Sequence, residues 1–184
     1  MYKYLLLLFL PFVMLAQKYE TQKYDIIKTM DDFEIRFYPP AMKAKVSSNR
    51  NFSKLFQYIS GNNEKNEKIA MTTPVYMSRK AEKITMEFVL PSKYSEKNMV
   101  PPNDKDIVLY RSMPGYYASI TFGGYASVKK VNYYYGLLLN KIEESKLKVI
   151  GEGPISLSYN SPYKVFNRRN EVLIQIEDIG NFIL

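Results

Sequence analysis

The sequence predicts an α+β protein, built as a distorted eight-stranded β-barrel or curved antiparallel sheet with two packed helices. Three observations lead to this prediction. Several segments alternate apolar and polar residues with a period of two, which is typical of half-buried strands. Two other segments carry apolar residues three and four positions apart, which is typical of amphipathic helices. The element order ββαββ also occurs twice, so two pseudo-symmetric halves can cover each other.

The N-terminal residues 1–16, MYKYLLLLFLPFVMLA, have the pattern of a secretory signal peptide. Lys3 supplies a short positive region, Leu5–Leu15 is apolar apart from Pro11, and Ala16 is a small residue at a plausible cleavage point. Because the apolar run is short for a bilayer, we expect no stable membrane span after cleavage. We therefore expect an exported protein, periplasmic or secreted. An uncleaved membrane anchor is the alternative interpretation.

The first half, about residues 24–91, contains five strand candidates and one helix. Alternating patterns predict strands over Tyr24–Lys28, Phe33–Tyr38, Ala41–Val46, Ile69–Met77 and Lys83–Leu90. A helix is predicted over Phe52–Ser60, followed by Gly61, a residue suited to a left-handed C-cap. The spacing directs one set of apolar side chains to the core: Phe52, Leu55, Phe56 and Ile59. The outer face would carry Lys54, Gln57 and Tyr58.

The second half, about residues 107–177, repeats the order ββαββ, to which Tyr24–Lys28 in the first half and Lys148–Glu152 in the second are additional strand candidates. The strand candidates are Ile107–Tyr110, Tyr116–Phe122, Lys148–Glu152, Pro154–Tyr159 and Glu171–Glu177. A longer helix is predicted over Val128–Glu144, with Ser127 as its N-cap. Since neither half could cover its own sheet, residues 17–184 are expected to form a single domain.

The composition excludes several classes of chemistry. The 184-residue chain contains neither His nor Cys. Thiolate nucleophiles, Ser-His and Cys-His dyads, zinc sites with N or S ligands and His-ligated haem are therefore excluded. The adjacent carboxylates Asp31-Asp32 and Glu143-Glu144 are interpreted as solvated charges. We identify no catalytic residue and no metal site in the sequence.

The chain is basic, with a formal net charge of +8. Such a charge can attract nucleic acid, anionic lipid or an anionic small molecule, or it can reflect lysines used for solubility. The sequence contains no helix-turn-helix pattern, so we expect no nucleic-acid partner. We expect a monomer.

Two features indicate a ligand site. One is the outer face of the helix Phe52–Ser60, and the other is the segment Tyr159–Asn170, which mixes aromatic and basic residues. Aromatic rings beside cations could hold a flat apolar ligand with acidic groups. The alternative is that Arg168 and Arg169 pair with Glu residues on neighbouring strands.

Several motifs resemble the SOUL/haem-binding protein family. They are FEIRFYPP, FSKLFQYISGNN, KIAMTTPV, FGGYAS and YNSPYKVFNRRNEVLIQI, in that order, and the resemblance runs from about Tyr24 to Glu177. It implies a distorted β-barrel of two similar halves. It also implies non-covalent binding of haem or another porphyrin, without enzymatic activity, in a groove between the first helix and a late loop.

Carried over to this chain, the resemblance implies a set of binding residues: Arg50, Lys54, Tyr58, Tyr163, Lys164, Phe166 and Arg168. The basic members would meet the propionates, while Tyr58 or Met71 could approach the iron, although Met71 also fits a core position. The function expected is therefore an exported carrier or buffer of tetrapyrrole. A binding module for another small molecule or protein on the same fold is the alternative, and a tetrapyrrole-modifying enzyme is a third.

Overall fold

A computed structural model describes residues 19–180 of the chain. The predicted signal peptide, residues 1–16, lies outside the described residues. The described part contains eleven strands and two α-helices. The strands are β1 Glu20–Thr21, β2 Asp25–Thr29, β3 Glu34–Tyr38, β4 Met42–Val46, β5 Thr72–Thr73, β6 Val75–Lys80, β7 Lys83–Val89, β8 Val108–Arg111, β9 Gly115–Phe122, β10 Ile155–Ser158 and β11 Asn170–Ile176. The helices are α1 Asn51–Ile59 and α2 Val128–Glu144.

Nine of these strands form one curled antiparallel sheet in the order β2-β3-β9-β11-β10-β6-β7-β4-β8. Outward from the central β10–β6 pair, the second half contributes β10, β11 and β9. The first half contributes the equivalent strands β6, β7 and β4 on the other side. The first strand of each half, β3 or β8, pairs with the second strand of the other half, β9 or β4. This exchange ties the two halves together, because neither completes its part of the sheet alone.

The α+β class, the antiparallel curved sheet and the two ββαββ halves are confirmed. The sheet has nine strands rather than eight, because β2 adds to the edge beside β3. A separate parallel pair joins β1 to β5. The predicted strand Lys148–Glu152 is wrong, since only Val149 forms an isolated bridge, to Ile176.

The helices form where the apolar spacing predicts them. Ser127 caps α2, where its hydroxyl accepts a hydrogen bond from the Lys130 backbone N–H. Gly61 follows α1 with a φ of +116°, a conformation that residues with a Cβ rarely adopt.

Both helices pack on the same face of the sheet, α1 against β4 and β7 and α2 against β9 and β11. Each helix therefore covers a separate apolar cluster. The opposite face of the sheet has its own core, made of residues that alternate with the helix-facing ones: Tyr38, Tyr76, Val89, Leu157 and Leu173. Burial on both faces means that polar side chains on the face opposite the helices must find partners within the protein.

Candidate ligand-binding groove

A groove of about 390 Å³ opens between α1 and the segment that follows β10. Its lining comprises Tyr19, Phe52, Ser53, Phe56, Met71, Thr73, Val75, Ser158, Tyr159, Asn160, Ser161, Pro162 and Tyr163. Aromatic and aliphatic groups form most of the surface, and Ser, Thr and Asn side chains supply hydroxyl and amide groups. The two chain segments that the sequence identified as site elements therefore meet in the folded protein.

Two phenylalanines of α1 form the helical wall of the groove. Phe52 and Phe56 are 39% and 49% exposed, and their rings stack with centroids 5.8 Å apart and an interplanar angle of 12°. Phe52 also lies edge-on to Phe88, at 5.7 Å between centroids. The prediction that both rings point into the core is wrong. Only Leu55 and Ile59 of that apolar set are buried.

The other wall is the loop 159–169, which Arg168 holds together. The guanidinium Nη1 of Arg168 donates to the carbonyl oxygens of Ser161, at 2.9 Å, and Lys164, at 2.6 Å. Its guanidinium carbon lies 4.6 Å from the ring centroid of Tyr125. Arg168 is 9% exposed, so the structure gives this side chain a role in shaping the loop. The expected contact of Arg168 with the ligand propionates stays a prediction, while its Nη1 atom is engaged by carbonyl oxygens of the loop.

Arg169 anchors the base of the same loop to the sheet. Its Nη2 atom donates to Glu171 Oε1 at 2.6 Å, and its guanidinium carbon lies 4.2 Å from the Tyr159 ring centroid. The Tyr159 hydroxyl donates to Glu171 Oε2 at 2.8 Å. The alternative that one of the two arginines pairs with a Glu on a strand is therefore confirmed for Arg169.

Tyr58 does not lie on the outer face of α1. Its side chain is fully buried, and its hydroxyl donates to the Val100 carbonyl oxygen at 2.8 Å. Burial, reinforced by the charge of nearby Glu67, raises the pKa of the Tyr58 phenol. The predicted outer position is wrong, and this phenol cannot reach a ligand in the groove.

Lys54 is already engaged by two carboxylates. Its ammonium lies 2.8 Å from Asp104 Oδ2 and 2.6 Å from Asp106 Oδ2. Hydrogen bonds to Asp104 and Asp106 raise the pKa of Lys54, and the same contact with Lys54 lowers the pKa of Asp104. This side chain therefore ties α1 to the loop before β8 and is outside the groove lining.

The remaining predicted residues lie around the groove. Tyr163 lines it and is 90% exposed. Lys164 follows on the exposed loop, and Arg50 precedes α1 at the exposed end of the helix. Neither cation forms an ion pair with another described residue. Phe166 is exposed but lies outside the groove lining.

Of the three residues that form the floor of the groove, the sequence singled out only Met71, as a possible neighbour of the iron, and missed Thr73 and Val75. Met71, Thr73 and Val75, around β5 and the start of β6, provide this floor. They belong to KIAMTTPV, one of the motifs that resemble the family. The motif itself was recognised in the sequence. A short apolar segment at the start of a strand does not reveal, however, which of its side chains remain uncovered in the folded protein.

Within residues 19–180 no helix is long and apolar enough to cross a membrane. In the same range, no three or more acidic side chains are grouped so that they could hold a metal ion.

The fold and the groove define a class of small α+β proteins made of two ββαββ halves with an aromatic groove beside one helix. The family model described as "SOUL heme-binding protein" matches residues 19–175. The chain therefore belongs to the SOUL heme-binding protein family.

Two curated relatives support this assignment. The chain is 34% identical over 160 residues to human "Heme-binding protein 2", covering 78% of each chain. It is 30% identical over 168 residues to the Mus musculus protein of the same name, covering 82% of each. A solved structure titled as a hydrolase from Listeria innocua aligns with a TM-score of 0.56 and 12% identity, over 82% of this chain and 94% of that one. At this level of identity the likeness shows the shared fold alone.

Proposed function

We propose that the groove between α1 and the loop 159–169 binds haem or another tetrapyrrole non-covalently, and that the protein acts as a carrier or buffer rather than an enzyme. The observation that carries this proposal is the pair of stacked, exposed rings of Phe52 and Phe56 facing the exposed Tyr163. Membership of a heme-binding family supports the same ligand.

The groove fits a flat apolar ring in size and chemistry. Its volume of about 390 Å³ falls within the range of roughly 300–1,000 Å³ typical of small-molecule sites. Because the groove is open, it would cover part of a macrocycle and leave one edge to solvent. Phe52, Phe56 and Tyr163 would contact the ring face, where aromatic groups stack in offset or tilted arrangements.

The propionates require donors at the rim. Among the residues that the structure describes, the groove lining contains no Lys or Arg. Ser53, Asn160 and Ser161 offer neutral donors there. The exposed cations Lys164 and Arg50 adjoin lining residues in sequence, one position after Tyr163 and two before Phe52. We therefore assign the propionates to the exposed rim, where charge pairing contributes little because solvent screens it.

Iron would receive no His or Cys ligand, because the sequence contains neither residue. The groove lining offers the Met71 thioether and the phenols of Tyr19 and Tyr163, while the Tyr159 hydroxyl already donates to Glu171. When bound, haem would supply its own iron chemistry. The chain would supply apolar contact and rim donors, so metal-free porphyrin should bind about as well as haemin.

Hydrogen exchange with and without haemin tests the location of the site. Protection is expected in the first turns of α1 and in residues 158–163. The turn between β6 and β7, around Lys80–Lys83, serves as an internal control and should not change. Protection confined to segments other than α1 and residues 158–163 would contradict this assignment.

Export is a separate part of the proposal and rests on the signal-like pattern of residues 1–16. Expression of the full chain with a C-terminal tag, fractionation and N-terminal sequencing would test it. A mature N-terminus at Gln17 in the exported fraction is expected. A tagged product that keeps residues 1–16 and stays inside the cell would contradict export.

The absence of a cation from the described lining favours one alternative, a flat apolar ligand without carboxylates. Native mass spectrometry of the purified protein would identify a co-purified ligand and decide between the two.

A further inference from the structure

A second cavity, of about 350 Å³, lies on the sheet face opposite the helices. Both halves contribute to its lining, and none of its lining residues also lines the groove beside α1. The residues that give it chemical character are Lys43, Tyr76, Glu87, Tyr110, Tyr117 and Gln175. The proposed tetrapyrrole site makes no use of this cavity.

Lys43 faces this cavity because it alternates with core residues. Its neighbours on β4, Met42 and Ala44, are buried in the cluster beneath α1, so Lys43 points to the other face. The side chain is 8% exposed, and Nζ lies 3.1 Å from Glu87 Oε2. Nζ also lies 3.4 Å from the centroid of the Tyr76 ring.

Burial makes the neutral amine of Lys43 more accessible than that of an exposed lysine, although Glu87 and the Tyr76 ring both stabilise the ammonium. Burial lowers the pKa of Lys43, and the attraction of Glu87 offsets this only in part. Surface lysines, with a pKa of about 10.4, carry roughly one neutral amine per thousand side chains at pH 7.4. Desolvation is a recognised means of activating a lysine as a nucleophile.

Tyr110 completes the arrangement. It lies directly opposite Lys43 in the β4–β8 register and lines the same cavity. Burial, followed by the charge of Glu87, raises the pKa of the Tyr110 phenol. Tyr110 therefore keeps its proton at neutral pH and can donate a hydrogen bond to an oxygen in the cavity.

We propose that this cavity is a second ligand site, in which Lys43 forms a reversible imine with a small aromatic aldehyde or ketone. The aromatic walls of Tyr76 and Tyr117 suit a planar body, and the Gln175 amide suits a polar substituent. The exposed Met113 side chain lines the same cavity.

The reaction balances without an additional reagent. The Lys43 ammonium first passes a proton to the Glu87 carboxylate, and the free amine then attacks the carbonyl carbon to form a carbinolamine. Glu87 returns the proton to the carbinolamine hydroxyl, which leaves as water. The C=O bond is replaced by a C=N bond, and the product iminium keeps the positive charge of Lys43 beside the Glu87 carboxylate. Nothing is oxidised or reduced in these steps.

Reductive trapping tests the site directly. The full chain would be incubated with 4-hydroxybenzaldehyde and sodium cyanoborohydride at pH 7.4, and the modified lysines located by peptide mass spectrometry. We expect Lys43 to be modified at least about tenfold faster than Lys45, which lies two positions along the same strand and is less buried. Modification of exposed lysines with Lys43 unmodified would overturn the proposal.

Variants separate the chemistry from the fold. Lys43→Met should abolish the fast phase of modification, and Lys45→Arg should leave it unchanged. Glu87→Gln should slow trapping at Lys43 by about tenfold, because the loss of proton transfer outweighs the extra neutral amine that follows when Glu87 no longer raises the pKa of Lys43. If Lys43→Met does not fold, two measurements still test the proposal. They are the trapping rate of Glu87→Gln and the location of the modified lysine in the wild-type chain. An unchanged rate in Glu87→Gln would overturn the assigned role of Glu87.

This site is independent of the proposed tetrapyrrole groove. Haemin affinity should be the same for Lys45→Arg, Glu87→Gln and the wild-type chain. Failure of trapping would therefore leave the groove assignment intact, and failure of haemin binding would leave the cavity assignment intact.

Discussion

Arg36 and Glu171 form a buried ion pair between residues 135 positions apart, with Arg36 Nη1 2.7 Å from Glu171 Oε2. The pair links β3 of the first half to β11 of the second across the intervening β9. Both side chains are almost inaccessible to solvent, at 2% and 0%. Glu171 also accepts hydrogen bonds from Arg169 and Tyr159, so the same carboxylate orders the base of the groove loop.

Replacement of Glu171 by Gln should make the free energy of unfolding less dependent on pH in the acidic range. Burial alone raises the pKa of Glu171, but hydrogen bonds and charge from Arg36 and Arg169 outweigh it, so the pKa is lowered. Because the pKa of Glu171 is lower in the folded than in the unfolded state, its carboxylate stabilises the fold at pH values above the unfolded pKa of about 4.3. This stabilisation is lost as the pH falls through the folded-state pKa. Near pH 7, Glu171→Gln should cost about 3–5 kcal/mol, because Arg36 keeps a buried charge.

Urea unfolding of both proteins from pH 3 to pH 7 measures this prediction. The difference in unfolding free energy should be largest at pH 6–7 and shrink below about pH 4. Lys80→Ala, which removes an exposed ion pair with Glu152, should leave the urea midpoint unchanged. A Glu171→Gln difference that is constant with pH would contradict the linkage.

Phe56→Ser should weaken haemin binding by about tenfold, because one of the two stacked rings of the groove is lost. The ring is about half exposed, so thermal stability should change little. Phe166→Ser is the matched control, since Phe166 is more exposed but lies outside the groove lining. Equal losses of haemin affinity in the two variants would place the ligand on the loop surface instead.

Lys164→Gln should weaken haemin binding by about threefold at low salt, and by less at high salt, because an exposed cation is screened. Lys54→Gln removes a cation that Asp104 and Asp106 already hold, so haemin affinity should stay the same. Isothermal titration at two ionic strengths measures both effects. A larger loss of affinity in Lys54→Gln than in Lys164→Gln would reverse this assignment.

Arg168→Lys and Arg168→Ala should behave alike. Both lose the guanidinium that donates to the carbonyl oxygens of Ser161 and Lys164, so exchange of the loop amides should rise at least about tenfold. Haemin affinity should fall to the same extent in both variants. If Lys at this position preserves affinity and Ala does not, Arg168 acts as a charge on the ligand and not as a scaffold.

The strand pattern and the duplicated ββαββ order could be predicted because period-two alternation and element order are local properties. The exact pairing of halves could not, because the exchange of β3 and β8 depends on contacts far apart in sequence. The apolar residues of α1 also show that burial depends on contacts far away in the sequence. Phe52 and Leu55 lie one turn apart on the same apolar face, but only Leu55 is buried. Phe52 contacts Phe88 of the sheet and at the same time borders the open groove.

The two segments predicted to form the site meet in the folded chain, but the sequence misplaced some of their side chains. Tyr58 finds a buried acceptor 42 positions away, at Val100, and spacing along the helix cannot reveal such a partner. Arg168 is satisfied by backbone carbonyl oxygens, which a count of charges does not show. Which residues line the groove depends on which atoms stay uncovered after folding, and only the folded structure shows this.

Parallel titrations of the purified protein with haemin and iron-free protoporphyrin IX test the central claim most directly. Soret absorbance and tyrosine fluorescence would follow binding. We expect one-to-one saturation with both ligands below about 10 µM, with affinities within about tenfold of each other, since apolar contact in the groove dominates. No saturable binding of either ligand below tens of micromolar, or binding of haemin alone, would contradict the account.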